Sequence, residues 1–302
     1  MSRFVLLNTR PAHQAQALDA LIAQSGGGSF SCPALQIEPI VFSEAEKVAQ
    51  FRALKTASLW IVTSANAVPA LAGWVKKLWT GDKILPVLPP ILPIGQATYQ
   101  ALQQSLEKLW QEVWANRQNP QPRLEKTGHF TLLMPASVNK SQQADSEQLL
   151  QHEVIQALSP KDRVVLVKGQ GGRLLLSNAL KEKGVTLFEL PVYRRLPAPF
   201  CVQSWRAFQA RSEPKIVLAT SFESLQSLWR GWENWQRNVE NLDADQSGPA
   251  LPTLFLVAFS RRIAELAKQA GWQGQIAVVP SMSNAGILQA IEQLMDRRED
   301  ER

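Results

Sequence analysis

Metal-ligand and redox chemistry are poorly supplied in this sequence. Its two cysteines, Cys32 and Cys201, lie 169 positions apart, and its three histidines, His13, His129 and His152, have no partners at metal-ligand spacing. That excludes a zinc site and predicts free thiols in a reducing, cytoplasmic compartment. No run of five or six basic residues occurs, which excludes a nucleic-acid-binding arm; the net charge of +6 suits an anionic ligand instead. The longest uncharged stretch, Ile84 to Leu106, is broken by Pro86, Pro89, Pro90 and Pro93, so it is not a membrane span. The opening MSRFVLLNTRP has too short an apolar run for a signal peptide. A Ser-His-Asp or Cys-His set is also missing, because no histidine falls in a motif tying it to a nucleophile.

What remains is a 302-residue chain with 45% hydrophobic residues, enough for a sizeable core and for two domains. Short apolar runs alternate with helical periodicity. Runs at Phe4–Leu7, Leu59–Val62, Ile91–Leu92, His129–Met134, Val164–Val167, Ile216–Leu218, Leu254–Ala258 and Ile276–Val279 predict strands. Gln14 to Ala23 predicts a helix with Ala17, Leu18, Leu21 and Ile22 on one face, closed by Gly26–Gly28. Uninterrupted apolar strands separated by helices imply an α/β fold whose parallel sheets are flanked by helices. The polar stretches Trp114–Lys126 and Asn234–Pro252 read as surface loops, and the charged tail Asp296–Arg302 as a fraying end.

An internal repeat is visible. Trp60–Trp74 can be laid over Val217–Trp232, with Thr63-Ser64 and Thr220-Ser221 in matching places after a strand. A second pair follows, Ile91–Leu102 and Leu254–Leu266, in which Thr98 and Ser260 stand near a helix start. Two similar α/β domains with a cleft between them follow from that duplication. A hydroxyl at a helix start is ordinarily a cap. Duplicated, it also gives two helix amino termini to receive carboxylates or phosphates.

Val164-Val-Leu-Val-Lys-Gly-Gln-Gly-Gly-Arg173 reads as a strand and a glycine-rich turn before a helix, with Lys168 and Arg173 as cations. No G-K-[ST] ends it, and Leu174 stands where a dinucleotide fingerprint needs glycine, so it reads as an anion-binding turn, with a plain strand-to-helix turn as the alternative, more than as a nucleotide loop. Tyr193, in the extended piece Leu190–Pro197, is flanked by Arg194 and Arg195, which would lower its pKa and attract acidic groups. Lacking a metal set, a nucleophile set and a cofactor fingerprint, the chain is expected to work by binding and positioning.

Six stretches in order resemble the uroporphyrinogen-III synthase family: Val5-Leu-Leu-Asn-Thr-Arg-Pro11, Pro33–Pro39, Trp60–Val68, Asp145–Leu150, Val164–Arg173 and Pro191-Val-Tyr-Arg-Arg195. The resemblance implies a discontinuous α/β domain of residues 1–34 and 198–302, an inserted α/β domain of residues 43–188, and linker strands at 35–42 and 189–197. It implies a cofactor-independent hydro-lyase that closes hydroxymethylbilane into uroporphyrinogen III, inverting the last pyrrole ring with loss of water. The implied protein is a cytoplasmic monomer with a small-molecule partner, a linear tetrapyrrole bearing acetate and propionate arms, and with no nucleic-acid or membrane partner. By this resemblance Tyr193 is the catalytic phenol. Thr63, Ser64, Asn66, Thr220 and Ser221 match the two hydroxyl motifs, and Gly169, Gly171 and Gly172 the glycine turn. Arg10, Lys168, Arg194 and Ser260 complete the substrate-binding set. Lys168 stands where arginine is common, and Phe259 where the glycine of an Ile-Gly-x-x-Thr pattern is expected. Those departures suit an alternative, a catalytically inactive relative that binds a tetrapyrrole or a protein partner.

Overall fold

In the computed structural model the described residues are 3–81, 87–115, 130–135, 146–172, 174–239 and 249–300. The chain divides into two compact units, Met1–Gln36 with Leu196–Arg302, and Ile37–Arg195.

The first unit opens with β1 (Val5–Asn8), α1 (Ala12–Gln24) and β2 (Gly28–Ser31), and after the second unit resumes with α8 (Val202–Gln209). It continues through β8 (Lys215–Ala219), α9 (Phe222–Val239), β9 (Phe255–Ala258), α10 (Arg261–Gln269), β10 (Ile276–Val278) and α11 (Asn284–Asp300). Its sheet runs β10-β9-β8-β1-β2 with every neighbouring pair parallel. All four residues of β1 are buried, so a continuous apolar run is what the position demands.

The second unit begins within β3 (Leu35–Pro39) and carries α2 (Glu44–Thr56), β4 (Leu59–Val62), α3 (Val68–Gly81), β5 (Ile91–Pro93) and α4 (Gln96–Ala115). After these come the short α5 (Ser146–Leu150) and α6 (Glu153–Gln156), then β6 (Arg163–Gly169), α7 (Leu175–Glu182) and β7 (Thr186–Pro197). The sheet order is β3-β7-β6-β4-β5. Alternate residues of β4 serve opposite faces: Trp60 and Val62 pack with α3 and α4, while Leu59 and Ile61 pack with Leu149, Ile155, Leu176 and Leu180. Two apolar layers on one short strand explain why Leu59–Val62 has no polar residue. The strand β3 departs from the parallel pattern. Ala198 N donates to Ala34 O and Ile40 N to Val192 O, so β3 and β7 run antiparallel.

Register shows how the repeat is built. Ile94 N donates to Val62 O at 2.9 Å, and Phe259 N to Ala219 O at 3.1 Å, which makes β4 and β5 the counterparts of β8 and β9. Ile91 pairs with Leu132 as Leu256 pairs with Ile276. On the other side Trp60 faces Val165 and Val217 faces Leu7, so β6 matches β1 and β7 matches β2. The two units therefore share one spatial strand order threaded from different starting points, a circular permutation. Ser260 is the counterpart of Gly95 and Ile263 of Thr98, so the expected pairing of Ser260 with Thr98 is three residues off. Phe259 accordingly stands where the second unit has Ile94, and not in the glycine's place.

Other expectations shift. Within His129–Met134, His129 lies outside the described residues and the rest contributes a single bridge at Leu132. Of Gly26–Gly28, expected to close α1, Gly26 follows the helix at φ 79° while Gly28 already opens the edge strand β2. Asn234–Val239 continues α9 and Leu251–Thr253 is a 3-10 turn, against the expected loop, and residues 240–248 lie outside the described set. Trp114 and Ala115 end α4, and residues 116–126 lie outside the described set. The charged tail stays helical to Asp300. Cys32 and Cys201 meet in the first unit as free thiols, and burial, with Cys201 adding to it, pushes the Cys32 thiol up to about 12. Among the described residues no helix is long and apolar enough to cross a membrane, and no group of three His, Cys, Asp or Glu could hold a metal ion.

Candidate active site

Strand order reverses within each continuous sheet, between β4 and β6 in one unit and between β1 and β8 in the other. The carboxyl ends of strands at such a point are where α/β sheets receive ligands. Most of the predicted residues fall there.

In the second unit β4 ends at Thr63, whose N donates to Val167 O at 3.0 Å and whose Oγ1 donates to the same oxygen at 3.3 Å. That fixes the turn into Ser64. Ser64 Oγ accepts from Asn66 N at 3.1 Å, capping the 3-10 turn Ala65–Ala67 that leads into α3. It also accepts from Tyr193 Oη at 3.1 Å. Tyr193 is 6% exposed, and its ring lies over Gly169. A Cβ at Gly169 would sit 2.7 Å from Tyr193 Cζ and 2.9 Å from Oη, closer than any side chain tolerates. The register between β6 and β7 slips at Lys168/Gly169, which lets Tyr193 face the glycine. Gly171 and Gly172 continue the turn at φ 74° and 89°, values that favour glycine. Arg173 lies outside the described residues.

Two of the predicted cations, Lys168 and Arg194, already have carboxylate partners. Lys168, 9% exposed, holds Glu189 Oε2 at 2.9 Å, and Lys181 reaches the same carboxylate at 3.4 Å. The hydrogen bond from Lys168 keeps Glu189 below the usual carboxylate range. Arg194 places Nε and Nη2 at 3.2 and 3.0 Å from Glu38 Oε2, on the strand face opposite the buried Tyr193.

In the first unit Ser221 Oγ accepts from Ser224 N at 3.0 Å and Ser224 Oγ from Ser221 N at 3.1 Å, a reciprocal cap on α9. Half-buried Thr220 precedes it. Ser260 caps α10 through Ile263 N at 3.3 Å, and Ser283 caps α11 through Gly286 N at 3.0 Å. Arg10 follows β1. Its Nη1 donates to Asn284 Oδ1 at 2.7 Å, its guanidinium lies 5.5 Å from the Phe259 ring centroid, and its buried Nε has no partner among the described residues. Burial lowers its pKa from the ordinary arginine value. The sequence reading missed Asn284 and Glu189. Asn284 was open to detection, since Ser281-Met-Ser-Asn284 is a helix-start pattern.

The family model described as uroporphyrinogen-III synthase HemD matches residues 123–285, more than half of the chain. The chain belongs to the uroporphyrinogen-III synthase family. The curated uroporphyrinogen-III synthases of Escherichia coli and Salmonella typhimurium are each 30% identical over 148 residues, 49% of this chain and 55% of theirs. The chain thus spans about half the length of the curated relatives it matches. Two solved structures share the fold. The uroporphyrinogen-III synthetase of Helicobacter pylori has a TM-score of 0.52 at 13% identity, covering 97% of this chain and 100% of that one. A mutant synthase of Thermus thermophilus has 0.51 at 17%, covering 97% and 99%.

Proposed function

We propose that this protein is an active uroporphyrinogen-III synthase, closing hydroxymethylbilane into uroporphyrinogen III. The observation that carries the proposal is the Gly169–Tyr193–Ser64 arrangement: a phenol seated on a glycine, its proton held by a hydroxyl 3.1 Å away. In this reading the substrate's hydroxyl displaces Ser64 as acceptor. Tyr193 gives its proton to the departing hydroxyl, and water leaves as the pyrrole nitrogen supplies electrons to form an azafulvene cation. The last ring attacks through its substituted carbon to give a spiro intermediate, which fragments and recloses with that ring inverted. The proton lost as the pyrrole recovers its aromaticity returns to Tyr193.

The linear substrate also cyclises unaided, to the type I isomer, so holding one chain conformation matters more than adding reactive groups. The capped starts of α9 and α10, at Thr220, Ser221 and Ser260, and the turn at Thr63, Ser64, Asn66, Gly169, Gly171 and Gly172 are proposed to receive acetate and propionate arms. Arg10 is assigned to an arm as well. Lys168 and Arg194, each bound to a glutamate, shape the site and meet the ligand less directly. A monomer in the cytoplasm is part of the proposal, and the free thiols suit that compartment.

The test adds purified protein to freshly made hydroxymethylbilane and separates the uroporphyrin isomers after oxidation. A dominant type III product is expected. Type I alone, at the unaided rate, would overturn the assignment and favour a binding role.

A further inference from the structure

Arg10 and Lys168 occupy equivalent points of the two units. Leu7 faces Val217 as Val165 faces Trp60, and three residues further along each strand direction stand Arg10 and Lys168. The same register compares their surroundings. Glu189, which neutralises Lys168, pairs with Leu166; the counterpart of Leu166 is Asn8, whose partner on β2 is Ser31. Where the second unit supplies a carboxylate, the first supplies a serine. Arg10 has an amide and an aromatic face in its place, Asn284 Oδ1 at 2.7 Å and the Phe259 ring at 5.5 Å. Neither removes its charge, and the buried Nε is left without an acceptor among the described residues. A desolvated cation with an unused donor is costly unless an acceptor arrives.

We propose that Arg10 is a carboxylate-binding residue whose counter-ion comes from the ligand, received on the Nε edge, with Asn284 and Phe259 as positioning residues that hold the guanidinium plane. Asn284 fixes Nη1, so the guanidinium cannot spin about its Cζ axis, and Phe259 supports the plane from one side. A carboxylate brought to Nε takes the place that Glu189 has beside Lys168. The identity of the ligand rests on the proposed function; the need for a carboxylate does not.

The experiment observes the Arg10 Nε–H resonance in the 15N-labelled full chain, identified by its loss in Arg10→Lys. Propanoate is titrated against chloride at matched ionic strength. A saturable shift with propanoate, absent with chloride, is expected. Asn284→Ala should weaken propanoate by about tenfold, the scale of a lost charge-assisted contact. Ser31→Glu should shift the resonance without ligand and weaken propanoate at least as much; Asn284→Asp serves the same purpose if that variant does not fold. No shift, an equal shift with chloride, or unchanged affinity in the glutamate and aspartate variants would overturn the proposal. Isomer analysis separates the two readings: a propanoate-responsive Arg10 without type III product sinks the reaction, and type III product with an unresponsive Arg10 sinks this subsite.

Discussion

The two units solve one topological problem with opposite electrostatics. Around the strand-order reversal of the second unit Lys168 has Glu189 and Arg194 has Glu38, and a buried tyrosine is clamped between Gly169 and Ser64. Around that of the first unit stand hydroxyl caps at Ser221, Ser260 and Ser283, the buried Asn8 and Thr9, and a desolvated arginine above Phe259. In one unit Lys168 and Arg194 are paired and the phenol is sterically fixed; in the other Arg10 keeps an unused donor for a ligand. Duplicated folds diverge most cheaply at strand ends, where the sheet does not constrain the side chain.

The sharpest way to break this comparison is Tyr193→Phe. Losing a general acid costs on the order of 10²–10⁴ in rate, so type III formation should fall by at least 10² while the fold is kept. Full activity in the isomer assay would remove the second unit's claim to the chemistry. Gly169→Ala comes next. The added Cβ must displace the Tyr193 ring, at roughly 1–3 kcal/mol of stability by overpacking and with loss of turnover. A variant with wild-type melting and activity would show that the glycine is not what seats the phenol.

Glu189→Gln leaves Lys168 buried without its counter-charge and should cost about 1–2 kcal/mol in a denaturant titration. The sign of its pH dependence follows from the lowered folded pKa. The stabilisation is complete above the unfolded glutamate value of about 4.3 and is lost as pH falls through the lower folded value. Wild type and variant should therefore converge in strong acid, and parallel curves down to pH 2 would refute the pairing's role. Ser221→Ala should cost about 1 kcal/mol, the ordinary loss of a helix cap, more than Ser64→Ala, whose cap serves only a 3-10 turn. Thermal melts of the two variants decide it. The smallest effect concerns reactivity: Cys32, pushed up to about 12, should resist alkylation of the native protein near neutral pH, with mass spectrometry reporting the modified position.

Much of the fold was open to reading because buried parallel strands advertise themselves. Leu59–Val62 and Val164–Val167 have apolar layers on both faces and so contain nothing polar. The edge strand β2 lacks that pressure: Gly28-Ser-Phe-Ser31 is half exposed and has the composition of a turn. Leu132 has a strand's company on one side only among the described residues, and Pro135 follows closely. Asn234–Val239 looked polar enough for a loop, yet Glu233 and Arg237 at i, i+4 and half-buried Trp235 keep α9 going. At the site, Tyr193, the hydroxyl steps and the glycine turn could be named from their motifs. The ion pairs could not, because Lys168 and Glu189 meet through strand register, which composition does not record. The same is true of Cys32 beside Cys201.

The threading of the chain also bears on how the protein is made. Strands β1 and β2 are made before the inserted unit, and their neighbour β8 follows only after the whole of Ile37–Arg195. At roughly 5–20 residues per second a ribosome needs on the order of ten to thirty seconds for that interval. The inserted unit can be complete while Phe4-Val-Leu-Leu7 still has one open edge. During that window the unpaired edge of β1 is open to wrong pairing.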